Sequence, residues 1–142
     1  MSWPADVMLY TDGASRRNPG NAAAAFRILE GNRLVDEDAR FLGVTTNNVA
    51  EYHALIDGLQ RCRDRGVRRV RWCSDSKVVV DQVAGRSKVN ATGLKPLHEE
   101  VTTLVSGFEE VIPKKVPRTH PEIVAADRAA NMVLDRAGAT AV

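Results

Sequence analysis

The sequence has few cysteines and no long apolar segments. Cys62 and Cys73 are the only cysteines among 142 residues, and both fall within predicted secondary structure, so reduced, partly buried thiols are expected rather than a disulfide. No apolar run approaches the roughly 20 residues that a membrane-spanning helix needs. The N-terminus also lacks the basic segment followed by an apolar stretch that marks a secretory signal. We therefore expect a soluble, cytoplasmic protein that does not bind membranes.

Low-complexity runs and Pro/Gly/Ser-rich linkers are absent as well, which argues against extended disorder. Charged residues make up 27% of the chain and hydrophobic residues 44%, as in globular domains. A chain of this length can bury one hydrophobic core without disulfides. We expect a single monomeric domain over residues 1–142, with a core at about 7–137 and frayed ends at residues 1–5 and 138–142.

Basic residues are clustered, although the net charge is only +2. One cluster contains Arg61, Arg63, Arg65, Arg68, Arg69 and Arg71, and a second contains Lys114, Lys115 and Arg118. Clustered cations can attract a phosphate-rich partner such as a nucleic acid. The alternative is that both clusters are simply a solvated helix end and a solvated loop, and the clusters alone leave this open.

Apolar periodicity predicts an α/β domain. It indicates strands at residues 7–10, 22–29, 33–42, 67–73 and 111–116, and helices at residues 49–65, 78–83, 94–108 and from Pro121 onward. Pro113 cannot donate a ladder hydrogen bond, so the last strand should lie at a sheet edge. Strands first, and then helices alternating with strands, predict a mixed sheet flanked by helices.

Four carboxylates occur where these predicted elements begin or end. Asp12 and Asp75 follow two strands predicted to be parallel neighbours, at the carboxyl edge where α/β folds place their sites. Glu51 lies in the first turn of a helix that enters from that edge, and Asp127 lies beside the apolar stripe of the last helix. Each also has an ordinary interpretation. Asp12 could make a turn, Glu51 could close a capping box with Asn48, Asp75 could cap a helix, and Asp127 could face solvent.

A convergence of these four carboxylates would require cations. Two carboxylates 4 Å apart repel by about 4 kcal/mol at an effective dielectric near 20. A site with oxygen ligands and no His or Cys suits hard cations, Mg²⁺ first and Mn²⁺ next. Two such ions can clamp a phosphodiester between attacking and leaving oxygens. The set therefore predicts metal-dependent phosphoryl transfer.

The ordered segments at residues 10–15, 45–51, 73–77 and 125–131, together with Asn18-Pro19-Gly20, resemble ribonuclease H of type 1 over about residues 7–137. The resemblance implies a five-stranded mixed sheet of order 3-2-1-4-5, with strand 2 antiparallel and helices on its faces. The basic protrusion of some relatives should be missing, because residues 84–96 lead directly into one helix. The implied activity is endonucleolytic hydrolysis of the RNA strand of RNA/DNA hybrids by two metal ions, leaving 5′-phosphate and 3′-hydroxyl ends.

The resemblance also implies a role for individual residues. Asp12 would bridge two Mg²⁺ ions, with Mn²⁺ as a possible substitute, Asp127 would hold the ion that activates water, and Glu51 and Asp75 would hold the ion at the leaving 3′ oxygen. His120 would shuttle protons, with a solvated residue before Pro121 as the alternative. The substrate-binding positions implied are Gly13, Ser15, Thr46, Asn47, Asn48, Ser76 and Lys77, of which Thr46 would hold a DNA phosphate.

Other functions remain as alternatives. An aspartyl phosphatase needs a second Asp two residues from its nucleophile, but Tyr10 and Ala14 flank Asp12 at that spacing. Recombinases and junction nucleases of similar fold carry larger DNA-binding elements than this chain can hold. A non-catalytic module that binds hybrids or serves as a scaffold is the main alternative, because folds persist without activity.

Overall fold

The computed structural model describes residues 2–140. Five strands and four helices follow one another along the chain. They are β1 (Asp6–Ser15), β2 (Gly20–Glu30), β3 (Arg33–Thr45), α1 (Asn47–Asp64), β4 (Arg69–Ser74), α2 (Lys77–Val83), α3 (Lys95–Ser106), β5 (Glu110–Lys115) and α4 (Pro121–Thr140). Every predicted element is present, and α4 begins at Pro121, where the missing amide hydrogen costs nothing.

The strands form a single sheet in the order β3-β2-β1-β4-β5. β2 pairs antiparallel with β1 and β3, whereas β4 is parallel to both β1 and β5. This confirms the predicted strand order and the antiparallel second strand. Residues 84–94 connect α2 to α3 without a further helix, so the predicted absence of a protrusion is confirmed. The carboxyl ends of β1 and β4 lie side by side, which places Asp12 near Asp75.

The two faces of the sheet are covered by different helices. On one face, Leu9, Val70 and Trp72 pack against apolar side chains of α1, α2 and α3 in the main core. On the other face, α4 packs against β1 and β2 through small residues. This alanine layer consists of Ala23 and Ala25 of β2 and Ala126 and Ala130 of α4, all fully buried or nearly so. Because alanine side chains are short, the layer brings α4 close to the sheet.

Several predicted boundaries were wrong at the ends of elements. β1 continues through Asp12 to Ser15, because residues 12–15 keep pairing with β2, so Asp12 lies inside a strand rather than at a turn. The predicted frayed N-terminus is also wrong for the described part of residues 1–5, since Trp3 packs on the core and the Ala5 carbonyl accepts from the amides of Arg68 and Arg69 at 2.9 Å. α4 continues to Thr140, and residues 1, 141 and 142 lie outside the described residues.

The arginine cluster lies at the end of the molecule opposite the carboxyl ends of β1 and β4. Four of its members form ion pairs with acidic neighbours: Arg61 with Asp36 and Asp38, Arg63 with Asp64, Arg68 with Glu109, and Arg69 with Asp6 and Glu109. Arg65 lies over the ring of Trp3. Most of the positive charge of this cluster is therefore balanced within the protein.

None of the helices among residues 2–140 combines the length and apolar character needed to span a bilayer.

Candidate active site

Three carboxylates from three elements meet at the carboxyl edge of the sheet. Asp12 of β1, Glu51 of α1 and Asp75, just after β4, each offer one oxygen atom, and these atoms all lie within 4.8 Å of one another. Asp12 is 6% exposed and Glu51 is 8% exposed, so neither can be screened well by water. An all-oxygen cluster of this size fits a hard divalent cation, and His and Cys are absent from it.

Gly13 allows α1 to approach β1 this closely. A Cβ atom at Gly13 would lie 2.3 Å from the Glu51 amide nitrogen and 2.4 Å from the Ala50 carbonyl carbon, both backbone atoms that cannot move aside. The Gly13 amide instead donates a short hydrogen bond to the Glu51 carboxylate. Glycine is therefore required here by space, and its amide fixes the direction of the Glu51 side chain.

The first turn of α1 is capped by Thr46. Its hydroxyl accepts from the Val49 amide at 3.2 Å, and the Asn18 side-chain oxygen accepts from the Asn47 amide at 3.1 Å. The capping-box interpretation of Glu51 is wrong, since Thr46 is the cap and Glu51 accepts from Gly13 instead. Asn18 and Thr46 satisfy the amides of Asn47 and Val49, so the helix start does not use the Glu51 carboxylate, which can serve the carboxylate cluster.

The position of Asp75 depends on β4 and on the start of α2. Ser76 caps α2 through the Val79 amide at 3.3 Å, so the interpretation of Asp75 as the cap is wrong. The indole N–H of Trp72, three residues before Asp75, donates to the hydroxyl of Thr11, the residue before Asp12, at 2.8 Å. Both side chains are fully buried, and their hydrogen bond joins β1 to β4 beside the residues that carry the carboxylates.

Asp127 reaches the same cluster from the other face of the sheet. It is exposed, one turn before Asn131 on α4, and it lies close enough to Asp12 to raise the pKa of that carboxyl. The buried Ala126 and Ala130 hold this part of α4 against β2. Asp127 faces solvent, as the alternative interpretation of the sequence predicted. Its exposed side chain lines the cleft.

Burial and nearby carboxylates keep the Asp12 and Glu51 carboxyls largely protonated at neutral pH in the metal-free protein. The pKa of Asp12 is raised from 3.8 to about 9, mainly by burial and in addition by Glu51, Asp75 and Asp127. The pKa of Glu51 is raised to about 8, mainly by burial, with the Gly13 amide acting to lower it and Asp75 acting to raise it. A divalent cation would replace these protons and satisfy the repelling oxygens.

These residues line a cleft of about 570 Å³. The four carboxylates line it, and so do five of the predicted substrate-binding residues: Gly13, Ser15, Asn47, Asn48 and Ser76. Thr46 and Lys77 are not among the lining residues. The Thr46 hydroxyl is used as a helix cap, and the Lys77 ammonium pairs with Asp81 at 2.7 Å on the same helix.

His120 also lies outside the set of lining residues. Its Nδ1 accepts from the Glu122 amide at 3.1 Å, and its carbonyl accepts from the Val124 amide at 2.9 Å, so it occupies the start of α4 as a cap. The ring packs on Tyr10 with 4.9 Å between ring centroids. Nδ1 is the acceptor in that bond, so it carries no proton there.

Two polar residues that line the cleft were not predicted as site residues, and neither were the apolar lining residues Ala14, Ile123 and Val124. Arg118 lies 3.8 Å from Asp75 with its side chain 93% exposed, and it is the one cation among the lining residues of the described chain. Asn131 lines the cleft one turn after Asp127 and donates to the Asp127 carbonyl at 2.9 Å. Asn131 follows Asp127 by four residues on a predicted helix, and residues at that spacing share a helix face, so the sequence could have indicated that Asn131 lies at the site.

Known proteins are similar to this chain in sequence. The family model described as Reverse transcriptase-like matches residues 10–133. The chain is 36% identical over 137 residues, 95% of its length, to the bifunctional protein Rv2228c of Mycobacterium tuberculosis. It is 37% identical over 132 residues, 92% of its length, to ribonuclease HI of Halobacterium salinarum. The chain spans 37% of the length of the first protein and 65% of the second.

Solved structures are similar in fold over almost the whole chain. The N-terminal RNase H domain of Rv2228c matches with a TM-score of 0.91 at 35% identity, covering 98% of this chain and 100% of that one. LC11-RNase H1 in complex with an RNA/DNA hybrid matches with a TM-score of 0.86 at 30% identity, covering 92% and 98%. The chain therefore belongs to the ribonuclease H type 1 family of metal-dependent endoribonucleases.

Proposed function

We propose that this chain, as a single-domain monomer, hydrolyses the RNA strand of RNA/DNA hybrids by a two-metal-ion mechanism. The observation that carries the proposal is the cluster of Asp12, Glu51 and Asp75, with Asp127 beside it, in an open cleft. A similar chain, LC11-RNase H1, has been solved in complex with an RNA/DNA hybrid. The products proposed are a 5′-phosphate and a 3′-hydroxyl.

The four carboxylates would hold two Mg²⁺ ions, for which Mn²⁺ is a possible substitute. Asp12 is the most central of the four, since Glu51, Asp75 and Asp127 all act on it, and it is proposed to bridge the two sites. Glu51 and Asp75 would hold one ion and Asp127 the other. Bound ions would supply charge for the attacking water and for the leaving 3′ oxygen. The Gly13 amide keeps the Glu51 carboxylate turned toward the cleft before any ion arrives.

Substrate recognition is assigned to small and amide-bearing residues of the cleft wall. Asn47 and Asn48 offer side-chain amides, which can both donate to and accept from a 2′-hydroxyl. Gly13, Ser15 and Ser76 are small enough for a sugar to approach the backbone. Arg118 stands where a backbone phosphate would lie against the cleft. The proton-shuttling role predicted for His120 is left to the His120→Ala test below: its Nδ1 accepts from the Glu122 amide at the start of α4, so only Nε2 could transfer a proton.

A cleavage assay tests this proposal. A labelled RNA/DNA hybrid, single-stranded RNA, duplex RNA and duplex DNA are each incubated with Mg²⁺, Mn²⁺ or EDTA and separated on a denaturing gel. We expect metal-dependent cutting of the RNA strand in the hybrid alone, with 5′-phosphate ends. Asp12→Asn and Asp75→Asn should abolish cutting, whereas Asp64→Asn, which removes an exposed carboxylate paired with Arg63, should not.

The alternative is a module that binds hybrids without cutting them. It predicts hybrid binding with no cleavage in any metal, and the same affinity in wild-type and Asp12→Asn proteins. Cutting of all four substrates would instead indicate a nuclease with a different specificity.

A further inference from the structure

The second basic cluster lies on the edge strand beside the cleft. Lys114 and Lys115 end β5, where Lys114 is the register partner of Cys73 and Lys115 that of Ser74, the residue before Asp75. Successive strand residues point to opposite faces, so the two ammonium groups stand on both sides of the sheet edge. Pairing continues one residue further, since the Val116 amide donates to the Ser74 carbonyl at 2.9 Å. We call Lys114, Lys115 and Arg118 the β5 ridge.

The β5 ridge keeps its positive charge. Lys114 and Lys115 are exposed, and neither forms an ion pair with any acidic residue in the part of the chain that the structure describes. Arg118 approaches only Asp75, which belongs to the carboxylate cluster. The arginine cluster differs, because most of its charge is already balanced by neighbouring carboxylates. The two basic clusters of the sequence are therefore not equivalent.

Metal binding would increase the difference in unbalanced positive charge between the β5 ridge and the arginine cluster. Without ions, Asp75 partly offsets the charge of Arg118, which lies 3.8 Å away. Two divalent ions would balance four carboxylates, and the ridge would then be the positive surface next to the cleft. A polyanionic strand that leaves the cleft on the β5 side would meet cations without acidic competitors.

We infer that the β5 ridge binds backbone phosphates of the hybrid outside the cleft, on the side of Asp75. This inference rests on the proposed function and adds a contact surface to it. Arg118 is three positions after Lys115, so the ridge spans at most about 10 Å between these two residues. At one phosphate per 3.4 Å of axis on each strand, that length matches roughly three phosphates. The ridge would supply positive charge beside the cleft in a chain that lacks the basic protrusion of some relatives.

The salt dependence of binding tests the inference. Hybrid affinity is measured against salt concentration at fixed Mg²⁺ in an Asp12→Asn background, which prevents cutting. Log K falls as log salt rises, and each lost phosphate contact makes this slope shallower by about 1. Lys114→Ala/Lys115→Ala should therefore reduce the magnitude of the slope by about 2. Between 50 and 200 mM salt, the parent should then lose about tenfold more affinity than the double variant. Lys114→Arg/Lys115→Arg should keep the parent slope.

The matched control removes the same charge from the arginine cluster. Arg63→Ala/Arg68→Ala also deletes two cations, and Glu109 keeps Arg69 as its partner. We expect the parent slope in this control.

A second control varies the length of the hybrid. A hybrid trimmed to the cleft on the ridge side should show no difference in salt slope between the parent and the ridge variant, so hybrids extended at either end are compared.

The possible outcomes separate the ridge from the activity. If the wild-type chain cuts hybrids but the ridge variant and the arginine control share the parent slope, the inference is overturned and the proposed function stands. Equal slope losses in both double variants would also overturn it, because they would reflect net charge alone. If the wild-type chain cuts nothing while the ridge slope changes as expected, the proposed function fails and the ridge remains a nucleic-acid contact.

Discussion

The Asp12→Asn substitution should stabilise the metal-free protein while it abolishes cleavage. In the folded chain the pKa of Asp12 is raised from 3.8 to about 9, first by burial and then by Glu51, Asp75 and Asp127. An acid with a raised pKa binds more protons folded than unfolded, so the folded state loses stability as pH rises from about 4 to about 9. Wild-type protein in EDTA should therefore be less stable at pH 7 than at pH 4, as far as this group is concerned.

The size of the effect follows from the pKa shift. At pH 7 only the interval from 3.8 to 7 counts, and at about 1.4 kcal/mol per pH unit it corresponds to about 4 kcal/mol. Asparagine carries no charge but still buries a polar amide, so part of the cost remains. We expect Asp12→Asn to gain about 2–4 kcal/mol at pH 7, or roughly 8–15 °C in Tm, and almost nothing near pH 4.

Thermal unfolding followed by circular dichroism measures this directly. Wild-type protein, Asp12→Asn and the control Asp64→Asn are compared in EDTA from pH 4 to pH 8, and again with Mg²⁺ at pH 7. Mg²⁺ should stabilise the wild type more than Asp12→Asn, because binding to the folded state adds its own free energy. Parallel pH profiles for wild type and Asp12→Asn, or a wild type that gains stability with rising pH, would refute the account of repulsion at Asp12.

Three further substitutions test how the site is held. Gly13→Ala should destabilise the fold by more than about 2 kcal/mol and abolish cutting, since its Cβ would lie 2.3 Å from the Glu51 nitrogen; a folded, active variant would contradict the close approach of α1. His120→Ala should lower unfolding free energy by about 1 kcal/mol through the lost cap, with a pH–rate profile like the wild type; a changed profile would return His120 to the mechanism. Trp72→Phe should lower the free energy of unfolding by about 1–3 kcal/mol, because the buried Thr11 hydroxyl loses its donor. Trp72→Phe/Thr11→Val should recover part of that loss, and no recovery would mean that the Trp72–Thr11 hydrogen bond contributes nothing to stability.

Apolar runs and helical spacing were sufficient to predict the elements and the sheet edge at which Asp12 and Asp75 lie. They worked because Leu9, Val70 and Trp72 face one core while Asp12 and Asp75 end up at the same edge of the sheet. Propensity alone could not place the end of β1, since its last residues are held by pairing with β2, a contact distant in sequence. The strand order came from the family resemblance, because periodicity carries no information about which strands are neighbours.

The side-chain partners at the site were less accessible from the sequence. Local spacing suggested Asn48 with Glu51 as a capping box, yet Thr46 is the cap and Gly13 is the partner of Glu51. The decisive contact joins residues 38 positions apart, so no local pattern reports it. Arg118 could be assigned only to a charged cluster, because its approach to Asp75 depends on how the chain leaves β5.

The alanine layer beneath α4 works as a spacer. Its thickness sets the height of Asp127 above the sheet, and metal sites tolerate ligand displacements of only about 0.2 Å. A valine at Ala126 would thicken the layer by up to about 1.5 Å, one carbon–carbon bond, at a cost of roughly 1–3 kcal/mol that the fold can survive. Asp127 would then sit too high to share an ion with Asp12. If Asp127 and Asp12 share an ion as proposed, residues that never touch the substrate set the distance between the two carboxylates, and activity depends on packing in the interior of the protein.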